Sequence, residues 1–355
     1  MKNKSENVSL ENKYDQKIGR NTKSELSLAE KIVLILFPIV TAVICIGIGR
    51  IHITPPEILN SVRGNLFGGA ELVDTVEMTL WNIRMPRILL ALLVGAGLSA
   101  SGCAYQSLFS NPLATPDTLG VASGAGFGAA LALLLGFEFM GVQIVSLVFG
   151  CAAVYLTMIA GKSKERRGMS SVVLAGIMIG SLFNALISLV KFSADTESEL
   201  PEITYWLMGT LDSAGYDSLK LGAPFILGGI IILLLLRWRL NLLPLGDEEA
   251  MAMGVNLKAL RGITIFCATA MTASCVSMCG QVGWVGLLVP HMCRMKFGNN
   301  HLALLPASIF TGAAFMVIVD TLARSISAAE LPISILTAII GAPFFIILMR
   351  KSSNL

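Results

Sequence analysis

The sequence predicts an all-α polytopic membrane protein of about ten transmembrane helices. Three observations carry that prediction. Of 355 residues, 54% are hydrophobic and only 14% charged, where a soluble domain carries about 25% charge. The mean hydropathy is +0.74. Apolar runs long enough to cross a bilayer recur along nearly the whole chain.

The elements follow in order. Residues 1–30 mix lysines and acids and read as a polar tail, and the permeating part of the chain is expected over 31–351, with 352–355 as a short closing tail. The tail is too long for a secretory signal and no small-residue cleavage site follows it. Residues 32–49 form the first span. Pro55 and Pro56 then break the chain, and TPPEILNSVRG reads as a short surface helix. The second span starts at Arg84-Met85-Pro86-Arg87. Pro112 and Pro116 interrupt the next stretch, which predicts a broken helix, tolerated at membrane depth only beside protein or a water-filled cavity. Gly120, Gly124 and Gly128 leave one helix face bare for close packing or for a pathway.

Residues 142–160 and 170–191 are the fourth and fifth spans, separated by the basic loop GKSKERRG. Gly161-Lys162-Ser163 resembles the end of a phosphate loop, but position 156 is leucine where that loop needs glycine, so a nucleotide site is rejected. An acidic stretch at 195–202 and a polar patch to Lys220 precede the sixth span, 221–236. The polar interruption 237–261 then reads RWRLNLLPLGDEEAMAMGVNLKALR. Gly246 can open a short helix, acids fill its first turn, Gly254 can close it in a left-handed cap, and Asn256 can start another. Such a knob between spans is either a docking element or an ordinary solvated loop. The seventh span covers 262–279. A glycine-spaced helix containing Gly283 and Gly286 ends at Pro290-His291, and spans at 302–321 and from Ile333 complete the set.

Charge bias sets the orientation. With the N-terminus inside and ten crossings, 19 of the 26 Lys and Arg fall on the inner side, as the positive-inside rule favours. Both termini and the 237–261 knob are then cytoplasmic. Arg84, Arg87, Arg324 and the acidic stretch lie outside, where the arginines read either as snorkelling groups or as a positive site for an acidic partner.

Several chemistries are disfavoured. Seven cysteines without a C-x-x-C indicate neither a disulfide framework nor a zinc site. The interior has few ionisable groups, chiefly Asp117, Lys191 and Asp320, so no ion-coupling relay is apparent. No H-E-x-x-H occurs, and no histidine is placed to activate Ser123.

Four stretches carry a family resemblance: RMPRILLALLVGAGLSASGCAYQSLFSNPLATPDTLGVASGAG, LGDEEAMAMGVNLKALR, GQVGWVGLLVPHMCR and VDTLAR followed by AELPISILTAIIGAPFFIILMR. In that order they resemble the FecCD-type permeases of ABC importers, which carry iron-siderophores, haem or cobalamin. The resemblance implies ten helices and a dimer of permease subunits, identical or not, in the inner cell membrane. It implies a cytoplasmic ATPase dimer, which would hold ATP and Mg, and an extracytoplasmic substrate-binding protein; the chain itself would be neither an enzyme nor a nucleic-acid binder. Gly246, Asp247, Glu248, Ala250, Gly254 and Leu260 match the segment that couples to the ATPase. Arg84, Arg87 and Arg324 match arginines that meet glutamates of the binding protein. Pro290-His291 matches a family signature, and Cys275 and Cys279 fall near the implied pathway lining. Iron-siderophore is the expected cargo, with haem and cobalamin as the alternatives.

Overall fold

The computed structural model describes residues 26–49, 51–67, 74–162, 169–212, 215–245, 247–327 and 330–352. Among these every regular element is helical. Most of the tail at 1–30, residues 163–168 of the basic loop, Gly246 and the last three residues lie outside the described residues.

Helix α1 (Leu28–Gly47) starts with a reciprocal capping box between Ser27 and Glu30 and leaves most of its apolar side chains exposed, as a helix facing lipid would. The short helix α2 (Pro55–Phe67) lies where the double proline predicted it. Its start is fixed by Glu57, which accepts from the backbone N–H and the hydroxyl of Thr54, both at 2.7 Å. Those bonds hold the Glu57 carboxyl below its ordinary range.

The second span begins earlier than Arg84. Helix α3 (Asp74–Met78), a π-helical segment (Thr79–Arg84) and α4 (Met85–Leu108) run on as one rod. The π segment sits just before Pro86, whose missing N–H leaves the ordinary ladder incomplete there. A 3₁₀ turn (Pro116–Leu119) and α5 (Val121–Leu134) follow, so the two prolines do break the chain as expected. Then come α6 (Phe139–Ala160), α7 (Met169–Ser193), the short α8 (Glu199–Leu207), α9 (Tyr216–Leu240), α10 (Asp247–Ala252), α11 (Leu257–Cys279), α12 (Val285–Phe297), α13 (His301–Ile326) and α14 (Ile333–Ser352). The sequence showed α8 only as an acidic stretch.

Seven of these helices are long and apolar enough to cross a membrane. The count of ten is reached only by adding α5, α12 and α14. At about 1.5 Å per residue, α5 and α12 fall short of the roughly 30 Å hydrocarbon core, so they are partial crossings completed by irregular backbone.

Helix α4 is the axis of the bundle. It packs against α9, α11, α12 and α13, and almost all of it is buried. Its small residues make that possible. A Cβ on Gly102 would strike the backbone of Gly286 in α12, and one on Gly95 would strike Gly312 in α13. Backbone-to-backbone approach of this kind gains dispersion contacts where lipid offers no hydrophobic drive. Hydroxyl pairs add polar ties in the dry interior: Tyr105 with Thr269 and Ser101 with Thr272, each at 3.1 Å.

Candidate functional site

Two clusters at opposite ends of the bundle hold the residues that the sequence singled out. At one end, α9 hands the chain to a helical hairpin made of α10 and the start of α11. The hairpin is tightly specified. Val255 N–H reaches Ala250 C=O at 3.1 Å and Gly254 N–H reaches Met251 C=O at 2.9 Å, the paired bonds of a Schellman cap. Gly254 occupies the left-handed position, φ 74°. Asn256 then accepts from Ala259 N–H at 3.1 Å and starts α11. Both caps lie where the sequence placed them.

The hairpin also sorts the predicted coupling residues. Ala250, Leu257 and Leu260 are buried and anchor the hairpin to the bundle rather than offering contacts. Asp247 and Glu248 lie on α10. Gly254 is exposed at the turn, and beside it stand two exposed residues that the sequence did not single out, Met251 at 67% and Met253 at 58%. Large flexible apolar side chains held out from a rigid turn suit a docking surface. The signal was present in the alternation AMAMG, but only the fold shows which side of α10 faces out.

At the other end lie Arg84, Arg87 and Arg324. Spacing put them at the rim of the bundle, and they do converge there. All three are largely covered there, at 4%, 5% and 7% exposure. Arg84 donates to the carbonyls of Ile46 and Ile51, and Arg324 donates to the Cys45 carbonyl at 2.6 Å. Two of these carbonyls belong to the last turn of α1, the negative end of its dipole. Arg87 is the hub. Its Nε donates to Asp320 at 2.8 Å, and its two terminal nitrogens lie 3.1 and 2.8 Å from the two Glu330 oxygens. Asp212 stands further off, at 3.9 Å.

Asp320 therefore bonds chiefly across helices, to Arg87 on α4. Its pairing with Arg324 one turn along α13 is longer, at 3.6 Å. Glu330, which the sequence marked only as part of AELP, closes the cluster from the segment before α14. A cavity of about 170 Å³ opens beside Arg84, Arg87, Arg324 and Glu330.

The remaining candidates fall between the ends. Gly124 and Gly128 press α5 onto α6, and Gly120, at φ 75°, sits against Gly176 and Gly180 of α7. Gly286 meets both Pro116 and the Leu98 carbonyl. Gly283 does not share this packing: it is exposed and nothing lies where its side chain would be. Asp117 is a helix cap, its carboxylate accepting from Ala122 and Ser123 N–H at 2.9 and 3.4 Å. Cys275 and Cys279 are fully buried in the bundle, with Cys275 against Gly97 of α4, so they pack the interior instead of lining an open surface. Pro290 lies inside α12, and the His291 ring stands 5.5 Å from that of Phe345.

Comparison with known proteins gives concordant matches. The model of the FecCD transport family matches residues 35–351. The molybdate import system permease protein MolB of Haemophilus influenzae is 42% identical, with 90% of this chain and 94% of that protein covered. The Fe(3+)-citrate import system permease protein YfmE of Bacillus subtilis is 39% identical, with 92% and 96% covered. A solved structure described as an inward-facing conformation of a putative metal-chelate type ABC transporter superposes with a TM-score of 0.81 at 40% identity, with 90% of this chain and 98% of that chain covered.

Proposed function

The chain belongs to the FecCD transport family, and from that premise we propose that it lines the pathway through which an iron-siderophore complex enters the cell. It is a multi-pass membrane protein and the permease of an importer. In this reading it pairs with a second permease subunit in the inner membrane, and both termini face the cytoplasm. Hydrolysis belongs to a partner ATPase dimer that carries the ATP and Mg. The α10–α11 hairpin is the contact through which that partner drives alternating access.

The observation that carries the reading is the hairpin itself. A rigidly capped turn, anchored by Ala250 and Leu260 and displaying Met251 and Met253, joins two membrane helices. Force applied to it passes directly into α9 and α11, both of which pack on α4. Closely crossing glycine contacts suit small rotations of whole helices.

The arginine end takes the substrate-binding protein in this reading. Because the arginines are paired internally, an acidic partner engages them by exchange with Glu330, the more accessible of the two internal acids at 21% side-chain exposure. Rim charges of this kind set orientation and on-rate.

Iron-siderophore is the first choice of cargo. A second choice, molybdate, is favoured by the 42% identity to a molybdate permease. The deciding experiment starts from the chain purified in mild detergent with whatever accompanies it, then reconstituted into liposomes. Uptake of a labelled ferric siderophore that requires ATP and survives collapse of the ion gradients supports the proposal. Uptake of labelled molybdate alone reassigns the cargo. Ion-driven uptake without ATP rejects the importer mechanism.

A further inference from the structure

We propose that the arginine end of the bundle carries a second docking element, an acidic groove that receives a basic segment of the substrate-binding protein. The inference rests on the reading above that this end takes that protein, and it adds the charge that the partner must bring. The groove has a volume of about 680 Å³ and lies between the α5–α6 turn, α8 and the start of α9. Asp212 joins it to the arginines, since it lines the groove and stands 3.9 Å from Arg87.

Charge is the first argument. Arg84, Arg87 and Arg324 show almost none of their surface. Four carboxylates, Glu138, Glu202, Asp212 and Asp217, line the groove from exposed positions, and no lysine or arginine lines it. Asp217 is paired with Lys220 at 2.7 Å. The Asp212 carboxylate has only the distant Arg87, and those of Glu138 and Glu202 have no partner among the described residues. This groove therefore displays negative charge, although the residues matched to docking are arginines. Charge of one sign converging in a concavity focuses its field outward and steers an oppositely charged partner.

The walls are the second argument. Tyr205 and Trp206 line the groove beside the carboxylates, and a cationic side chain between an aromatic face and a carboxylate gains from both. Trp206 is 8% exposed and Ser218 2%, yet both line the groove. Neither the indole N–H nor the Ser218 hydroxyl has a partner among the described residues, and neither is sealed from solvent. A metal ion or a small ammonium would answer the carboxylates and leave those two donors unanswered. A peptide segment brings cationic side chains for the carboxylates and backbone carbonyls for the donors. The rim is held in place by Tyr216, whose hydroxyl donates to the Trp81 carbonyl of the π segment at 2.8 Å. A partner with acidic groups for the arginines and basic groups for the groove can seat in one register only, since exchanging them sets like charge against like.

The test uses the full-length chain in lipid nanodiscs and the substrate-binding protein recovered with it from the native membrane, with association and dissociation followed by interferometry. Glu138→Lys with Glu202→Lys should slow association by at least about tenfold at low salt and also quicken dissociation. Glu197→Lys, exposed at the same end but outside the groove, should act through the field alone, with a smaller effect on association and none on dissociation. A double variant that associates and dissociates like the unaltered chain, or one that differs no more than Glu197→Lys does, overturns the groove while leaving docking at this end intact. Saturable binding of spermine by the chain alone, without effect on docking, gives the groove to a small cation and equally overturns the proposal. If the unaltered chain binds no such protein, the reading above fails together with the inference. Should the double variant misfold, Glu138→Gln with Glu202→Gln is measured in its place, and a slowing in the same direction is required.

Discussion

Arg87 shows how much one side chain can hold in this protein. It is almost fully buried and joins α4 to α13 through Asp320 and to the segment before α14 through Glu330. A buried pair of this kind adds little net stability against a well-packed apolar replacement, but breaking one partner leaves an uncompensated charge. Asp320→Asn should therefore lower the unfolding free energy by about 3–5 kcal/mol, read as a fall in the melting temperature of the purified protein. The paired change Arg87→Met with Asp320→Leu should recover part of that loss, the remainder being the cost of leaving Glu330 and Arg324 without those partners. If the single and double variants melt alike, Asp320 is not the counter-charge that the geometry makes it. The pairing was only half legible in the sequence. Asp320 and Arg324 stand four residues apart, a spacing that suggests a self-contained helix pair, because sequence spacing reports neighbours within a helix and says nothing of Arg87, 233 positions away.

At the scale of elements, two features stand out: the glycine crossings of α4 and the capped hairpin. Gly102→Ala would put a methyl group into the Gly286 backbone, and overpacking of that sort costs about 1–3 kcal/mol. Gly228→Ala in α9 meets nothing within 4 Å and should be neutral or gain up to about 1 kcal/mol from helix propensity. Thermal unfolding of both variants side by side separates close approach from a general intolerance of alanine. For the hairpin, Met251→Asp with Met253→Asp should leave the fold intact, since both side chains are exposed, and should reduce co-purification of the ATPase by at least about tenfold, as loss of a central apolar contact would. Undiminished recovery would move the docking surface elsewhere. Gly254, Asn256 and the short α10 were readable because capping chemistry is local. The outward side of α10 was not, since it depends on how Ala250 and Leu260 seat against the body.

For the molecule as a whole, the proposed function requires the two ends to be mechanically joined. The hairpin and the arginine cluster lie at opposite ends of helices that share α4 as their axis. A Met251→Cys variant should react with an impermeant thiol reagent only in inside-out vesicles, since the exposed native Cys151 lies midway along the membrane-spanning α6, where lipid covers it. Labelling from the extracytoplasmic side would reverse the orientation and with it the roles of the two ends. Composition, apolar runs and charge bias by themselves determined that this chain is a helical membrane protein. The ordered motifs marked its family, and the caps of the α10–α11 hairpin followed from local glycine and asparagine chemistry. These are properties of short segments and of their solvation, so they survive without knowledge of the fold. Tertiary structure alone decided that three arginines are largely covered, that Gly283 has open space beside it while Gly286 is a contact, that Cys275 and Cys279 are interior packing, and that Arg294, Gln106 and His301 line one pocket. Each of those facts is a relation between helices far apart in sequence, and side-chain direction around a helix is fixed by its neighbours rather than by its own residues.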